Sequence, residues 1–185
     1  MKPPLPPARG FSLPELLTVT AIAAVLLGVA LPDLGALLRA QQLRAATNDL
    51  FGAIGLARAQ AIARNQHVLV LPRDAAGADW RQGWTVFADR DGNGLPGPGD
   101  DILAEHEALA AGLTADFSFT SPAAPYYIAY NGAGRSCSTS GAARWGTLSL
   151  FHGGAIRRIK INMLGRARAC NPAHDTNCEG AEAPG

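Results

Sequence analysis

The sequence predicts an α+β fold in which one long amino-terminal helix, its first half membrane-spanning, packs on an antiparallel β domain of two small sheets. Three observations carry this prediction. An apolar run extends from Phe11 to Leu31; an apolar stripe at helical spacing follows it; and after Asn65 the chain switches to short runs rich in β-branched and aromatic residues, separated by glycine-rich turns. At 185 residues the chain accommodates one domain of ordinary size plus an appendage, not two independent cores.

The leader, Met1 to Gly10 (MKPPLPPARG), is basic and proline-rich and has no apolar core of its own. A secretory signal peptide has a basic start, an apolar stretch and then a small-residue cleavage site, so the order here is different. From Phe11 to Leu31 every position is apolar or small apart from Ser12, Pro14, Glu15, Thr18 and Thr20. About 20 such residues cross a bilayer core as a helix. Within that run a carboxylate costs about 2.5–3.5 kcal/mol at the helix centre and less near an end, so Glu15 calls for a partner. Pro14 falls in the first turn, where a proline loses no intrahelical hydrogen bond. Pro32 lacks a donor and is expected to kink the helix. Beyond it Leu43, Ala46, Leu50, Ile54, Ala57 and Ala61 recur at steps of three or four, while Arg39, Arg44, Asn48, Arg58 and Arg64 lie off that stripe.

Strands are expected at His67–Pro72, Gly83–Asp89, Ile102–Leu109, Ala115–Thr120, Tyr126–Asn131, Gly146–His152 and Ala155–Met163. Turn signals separate them at Asp91-Gly92-Asn93-Gly94, Gly132-Ala133-Gly134 and Gly153-Gly154, the last a two-residue hairpin turn. From Asn171 onward the chain is polar and rich in glycine and proline, and a loose tail is expected. The organisation is therefore a leader over 1–10, a transmembrane helix over 11–32, its amphipathic continuation over 33–65, a β-rich globular domain over 66–170 and a flexible tail over 171–185.

Net charge is +1, but it is unevenly placed. Between Arg73 and Asp116 nine acidic side chains face three basic ones; between Phe117 and His174 seven basic side chains stand with no acidic one. That asymmetry points to an end of the molecule that faces a polyanion.

The string Arg9-Gly10-Phe11-Ser12-Leu13-Pro14-Glu15-Leu16-Leu17, followed by the apolar run and Pro32, resembles the leader of type IV prepilins and type II secretion pseudopilins. The resemblance implies a pilin-like fold. It also implies cleavage by prepilin peptidase between Gly10 and Phe11, N-methylation of Phe11, and a filament-assembly role for Glu15, paired with the Phe11 ammonium of a neighbouring subunit. The rest of the chain resembles the FimT/GspH group of minor pilins and minor pseudopilins. The residues that carry this are Leu56 to Asn65 leading into a strand, Gly83-Trp84-Thr85-Val86-Phe87-Ala88-Asp89 with the aspartate/glycine loop behind it, and Gly165-Arg166-Ala167-Arg168. Such a protein sits in the inner membrane as a single-pass subunit with its globular domain in the periplasm, becomes extracellular when assembled in a pilus, and has other pilin subunits as partners. It is not an enzyme and uses no cofactor.

The G-R-x-R string resembles the DNA-binding signature of the FimT branch. Two arginines two apart on a strand project to one face, where guanidinium forks grip adjacent phosphates. Gly165, Arg166 and Arg168, with Arg157, Arg158 and Lys160 on the preceding strand, are the expected DNA-binding residues; Arg135 or Arg144 would join from loops. Contacts to phosphate carry no base information, so the expected partner is double-stranded DNA without sequence specificity, taken up in natural transformation. The other reading is a structural GspH-like pseudopilin of a type II secretion system that does not bind DNA.

Asp89, Asp91, Asn93, Gly94 and Asp100 match a calcium loop at its first, third, fifth, sixth and twelfth positions. The segment enters from a strand, however, and Pro96 and Pro98 stiffen its distal half, so it is read as a strand connection and no metal is expected. Three cysteines without a C-x-x-C pair exclude a zinc cage. In an exported chain two of them would join. Three pairings are open, and Cys170 with Cys178, close in sequence, is preferred. His67, His106, His152 and His174 are scattered, with no nucleophile beside them, and catalysis has no candidate.

Overall fold

A computed structural model describes residues 11–121 and 123–182 and, over 27–33, the backbone alone. The expected leader with Gly10, the ring of Pro32 and residues 183–185 lie outside the described residues. The chain divides at Leu38/Arg39 into two units.

Helix α1 is assigned from Leu13 to Arg64. Ser12 starts it, its carbonyl accepting the N–H groups of Glu15 and Leu16 at 3.1 Å. In the first unit every side chain from Phe11 to Leu26 is exposed, among them Leu13, Leu16, Leu17, Val19, Ile22, Val25 and Leu26. Among the described residues no helix is long and apolar enough to cross a membrane; positions 27–31 of the expected span are among those whose side chains are not described.

The second unit holds all of the buried core found among the described residues. The stripe expected from spacing is the buried face of α1: Leu43, Ala46, Leu50, Ile54, Ala57 and Ala61 are all inaccessible to solvent. Among the described residues nine strands follow: β1 His67–Pro72, β2 Trp84–Asp89, β3 Asp101–His106, β4 Thr114–Phe119, β5 Ile128–Tyr130, β6 Ser136–Cys137, β7 Gly146–His152, β8 Ala155–Ile161 and β9 Ala167–Cys170. They form two antiparallel sheets, a five-stranded one in the order β3-β2-β1-β5-β6 and a four-stranded one in the order β4-β7-β8-β9. Gly153 and Gly154, at φ +54° and +82°, make the hairpin turn between β7 and β8, where only glycine takes successive positive φ values without strain.

Alternation along the strands explains the layering. Val68 and Val70 of β1, Val86 of β2, Ile128 of β5, Phe117 of β4, Leu148 and Leu150 of β7 and Ile159 and Ile161 of β8 join the α1 stripe in one core. The alternate residues Leu69, Leu71, Phe87 and Ala129 form a second cluster with Cys137 on the other face of the five-stranded sheet. That explains why β1 and β2 read as continuous apolar runs.

Turn signals predict seven strands, and nine are present among the described residues. The expected Tyr126–Asn131 and Ile102–Leu109 are shorter because their ends bond elsewhere: Tyr126 N–H donates to the Gly77 carbonyl at 2.6 Å, and Leu109 N–H to that of Arg81 at 2.8 Å. β6 and β9 are too short or too polar to stand out by composition, and pairing with β5 and β8 creates them.

Ile54 is fully buried at the middle of the stripe, and truncating such a side chain leaves a cavity that costs about 2–5 kcal/mol. Ile54→Ala should lower the denaturant midpoint accordingly with an unchanged m-value, while Asn48→Ala on the exposed side of α1 should shift stability by no more than about 0.5 kcal/mol.

Candidate functional site

Register decides which of the expected cations meet. On β8, Arg157 shares a face with Ile159 and Ile161, whereas Arg158 and Lys160 point to the opposite, outer face. β9 pairs antiparallel with β8 so that Arg168 lies across from Lys160 and Cys170 across from Arg158. Arg166 precedes β9 in the turn that joins the two strands. Lys160, Arg166 and Arg168 then line one open cleft of about 570 Å³ together with Trp145, Thr147 and Asn162. This is the candidate site.

Its turn is closed by Asn162, whose side-chain oxygen accepts the N–H groups of Leu164 at 3.1 Å and Arg166 at 2.9 Å. Gly165 adopts φ +79° and is buried against the Gly134 carbonyl and the Tyr130 ring, leaving no room for a Cβ. Gly165 therefore positions the arginines and offers no contact of its own. Arg58 of α1 holds the turn from beneath, donating to the Gly134 carbonyl at 3.0 Å and to the Leu164 carbonyl at 3.3 Å.

Two of the six expected DNA-binding residues stand apart from this cleft. Arg158 is only 3% exposed, and its guanidinium donates to the carbonyls of Cys178, Gly180 and Ala181. It clasps the carboxy-terminal segment and has no surface left for a polyanion. Arg157 faces α1 and lines a separate groove with Arg44, Thr47 and Asn48; burial, and then the charge of Arg44, lowers its pKa. Nor does Arg144 join. It is buried 4.2 Å from the Tyr127 ring centroid and donates to the Ser121 carbonyl at 2.6 Å, with burial lowering its pKa. Arg135 is exposed beside Met163 and Leu164 in another groove.

The segment after Asn171, expected as a loose tail, lies against the outer face of the four-stranded sheet as far as Ala181, tied there by Arg158, Lys160 and Arg168. Cys170 and Cys178 are joined, and Cys137 is free and buried. The loop this bridge closes returns polar groups to the cleft: Asp175 accepts from Arg168 at 2.7 Å, and the Asn177 carbonyl accepts from Lys160 at 3.1 Å and Arg168 at 3.3 Å. Arg168 stays half-exposed with this carboxylate beside it. Sequence reasoning missed Trp145 and Asp175. Trp145 sits one residue before a strand, and Asp175 meets Arg168 only through the Cys170–Cys178 pairing.

In the aspartate loop, carboxylate oxygens of Asp89, Asp91 and Asp100 lie within 4.8 Å of one another. They accept loop N–H groups: Asp89 those of Gly92 and Gly94, Asp91 that of Asn93, and Asp100 those of Arg90 and Gly97. Burial raises the Asp89 pKa, against the pull of its two backbone donors. The loop packs Gly94 against Thr139 and Leu69, which gives it a structural use as cover for the second apolar cluster. Two of the four histidines are engaged structurally. His152 Nδ1 lies 2.9 Å from the Gly112 carbonyl and Nε2 2.9 Å from Gln42 Oε1, and His106 stacks on Trp84 at 4.0 Å.

If Arg158 is the clasp, Arg158→Met should free residues 179–182 while the cystine still holds Cys178. Hydrogen bonds to a charged donor contribute about 1.5–3 kcal/mol each, so cleavage after Glu179 by a glutamate-specific protease should accelerate about tenfold or more. An unchanged cleavage rate would remove Arg158 from that role.

Residues 46–165 match the family model described as Type II transport protein GspH. The pilin-like protein PilA1 of Thermus thermophilus is 34% identical over 163 residues, covering 86% of this chain and 97% of that protein. The fold is similar to that of the type IV minor pilin FimU of Pseudomonas aeruginosa, with a TM-score of 0.53 and 19% identity over 72% of this chain and 91% of that one. It is equally similar to the minor pseudopilin EpsH of the Vibrio cholerae type 2 secretion system, with a TM-score of 0.52 and 18% identity over 72% and 99% of the two chains. With its long helix, two antiparallel sheets and family match, the chain belongs to the GspH family of type IV minor pilins and minor pseudopilins, which are structural filament subunits and not enzymes.

Proposed function

We propose that the protein is a minor pilin of a type IV pilus whose cleft at Lys160, Arg166 and Arg168 holds extracellular double-stranded DNA by its phosphates during natural transformation. The observation that carries this reading is the convergence of three cations from β8, its turn and β9 on one open cleft, with Asp175 as their one acidic neighbour among the described residues. Three side chains suit a few phosphates, so the affinity of one subunit is modest and falls with salt. Several subunits on one filament would raise it.

The amino-terminal half supports the filament part of the proposal. An apolar helix exposed on all sides from Phe11 to Leu26 requires apolar surroundings, which a bilayer supplies before assembly and a bundle of neighbouring helices after it. In this reading prepilin peptidase cuts between Gly10 and Phe11, Phe11 is N-methylated, and Glu15 pairs with the new ammonium group of the next subunit. The anchor lies in the inner membrane and the globular domain in the periplasm until assembly carries it outside the cell.

A second reading is a structural pseudopilin of a type II secretion system. The pair between Arg168 and Asp175 favours it, because a guanidinium already matched to a carboxylate has less to offer a phosphate.

Binding of a duplex by the segment from Arg39 onward, which carries the whole buried core found among the described residues, decides between the two. Arg166→Gln with Arg168→Gln should weaken binding and reduce the slope of log K against log salt by about 2, one for each phosphate contact removed. Asp175→Asn should strengthen it about two- to fivefold, the scale of an exposed ion pair. No binding at low salt would favour the secretion reading, and full binding by the double variant would remove Arg166 and Arg168 from the mechanism.

A further inference from the structure

Trp145 has no part in the phosphate reading, yet it stands in the same cleft. The indole is 42% exposed, while Trp80 and Trp84 are each 2% exposed within the core. Lys160, Arg166 and Arg168 line the same space. A half-exposed aromatic plane among cations matches a ligand that carries negative charge along its length and flat apolar rings at intervals. An unpaired stretch of nucleic acid has that chemistry, because each base offers a π-face while its phosphate needs a cation. A closed duplex offers the phosphates only.

The backbone beneath the indole is held on both sides. The Trp145 carbonyl accepts Thr120 N–H at 3.0 Å, and the preceding Arg144 donates its own N–H to the Ser136 carbonyl at 3.2 Å. The Arg144 side chain, anchored on Tyr127 and the Ser121 carbonyl, locks the neighbouring residue. The backbone that carries the indole is thus held before a ligand arrives, which lowers the entropy cost of binding.

We infer that Trp145 is a base-stacking residue and that the cleft prefers single-stranded or frayed DNA, with a base on the indole and the adjoining phosphates on Lys160, Arg166 and Arg168. This rests on the DNA reading above for the phosphate contacts and changes the preferred form of the ligand from closed duplex to unpaired strand. The occupant that competes for the same surface is a neighbouring subunit packing on the indole.

The test uses the full chain in a nonionic detergent with three probes: an oligothymidylate, an abasic oligonucleotide of equal length, and a duplex closed by hairpins at both ends. Because the other two tryptophans are buried, quenching of the exposed fluorescence reports on Trp145. The oligothymidylate should quench it and bind more tightly than the closed duplex, and the abasic strand should bind without quenching. Trp145→Ala should lose about fivefold or more in affinity for the oligothymidylate, with Trp145→Phe intermediate and the closed duplex little changed. If the oligothymidylate leaves the fluorescence unquenched and Trp145→Ala binds it as the parent does, the stacking role is overturned; duplex binding that still depends on Arg166 and Arg168 would then leave the phosphate reading standing. If no probe binds at low salt, both fail together. Retained binding of all probes by Trp145→Ala, with loss of subunit association, would assign the indole to the neighbouring subunit and also overturn the inference.

Discussion

The contact on which the rest depends is the seam between the Leu43–Ala61 stripe of α1 and the inner faces of both sheets. Neither sheet has another shared layer to bury its apolar side chains against, and the helix has no other use for that stripe. The same helix reaches past the seam with Arg58, whose bonds to the Gly134 and Leu164 carbonyls hold the turn that presents Arg166. The element that would join a filament therefore also sets the position of the basic cleft.

The uneven charge of the sequence is a spatial division between sheet edges. Acidic residues of the first half gather on and near β3, the outer strand of the five-stranded sheet, where Arg64 and Arg90 reach Asp101 and Arg73 lies 3.9 and 3.6 Å from Glu105 and Glu107. Basic residues of the second half gather on β8 and β9 at the edge of the other sheet. An edge strand with unpaired backbone groups invites pairing with another chain, and cations on β9 discourage that. The carboxy-terminal segment adds a second safeguard, since the clasp on Arg158 keeps the outer face of β7 and β8 covered. Protection of the edge and the proposed capture of a polyanion would draw on the same side chains.

Periodicity made the most regular parts of the fold legible. The α1 stripe is a strict three-or-four repeat and lies buried residue for residue, and the strands with dense β-branched content fall within a few residues of their expected limits. What periodicity does not carry is register. Which of Arg157, Arg158 and Lys160 shares a face with Arg168 depends on the β8–β9 pairing, and a shift of one residue would exchange them. Arg158 reads as a surface cation in the string Arg157-Arg158-Ile159-Lys160, yet three carbonyls of a segment 20 or more residues downstream bury it. Trp145 and Asp175 were hidden for the same reason: their neighbours in space are distant in sequence and are brought in by sheet pairing and by a cystine. The polar composition after Asn171 suggested a loose tail because composition counts apolar residues, whereas this segment is held by one bridge and one buried guanidinium.

The most direct test of the central claim, that the β8–β9 edge is the face presented to DNA, is a map of backbone amide shifts in the segment from Arg39 onward as a short duplex is added at low salt. The account predicts that the largest shifts gather at Trp145–Thr147, Lys160 and Arg166–Arg168, with the Asp89–Glu107 edge unmoved. Shifts centred on Arg44 and Arg157, or spread evenly over the surface, would contradict it.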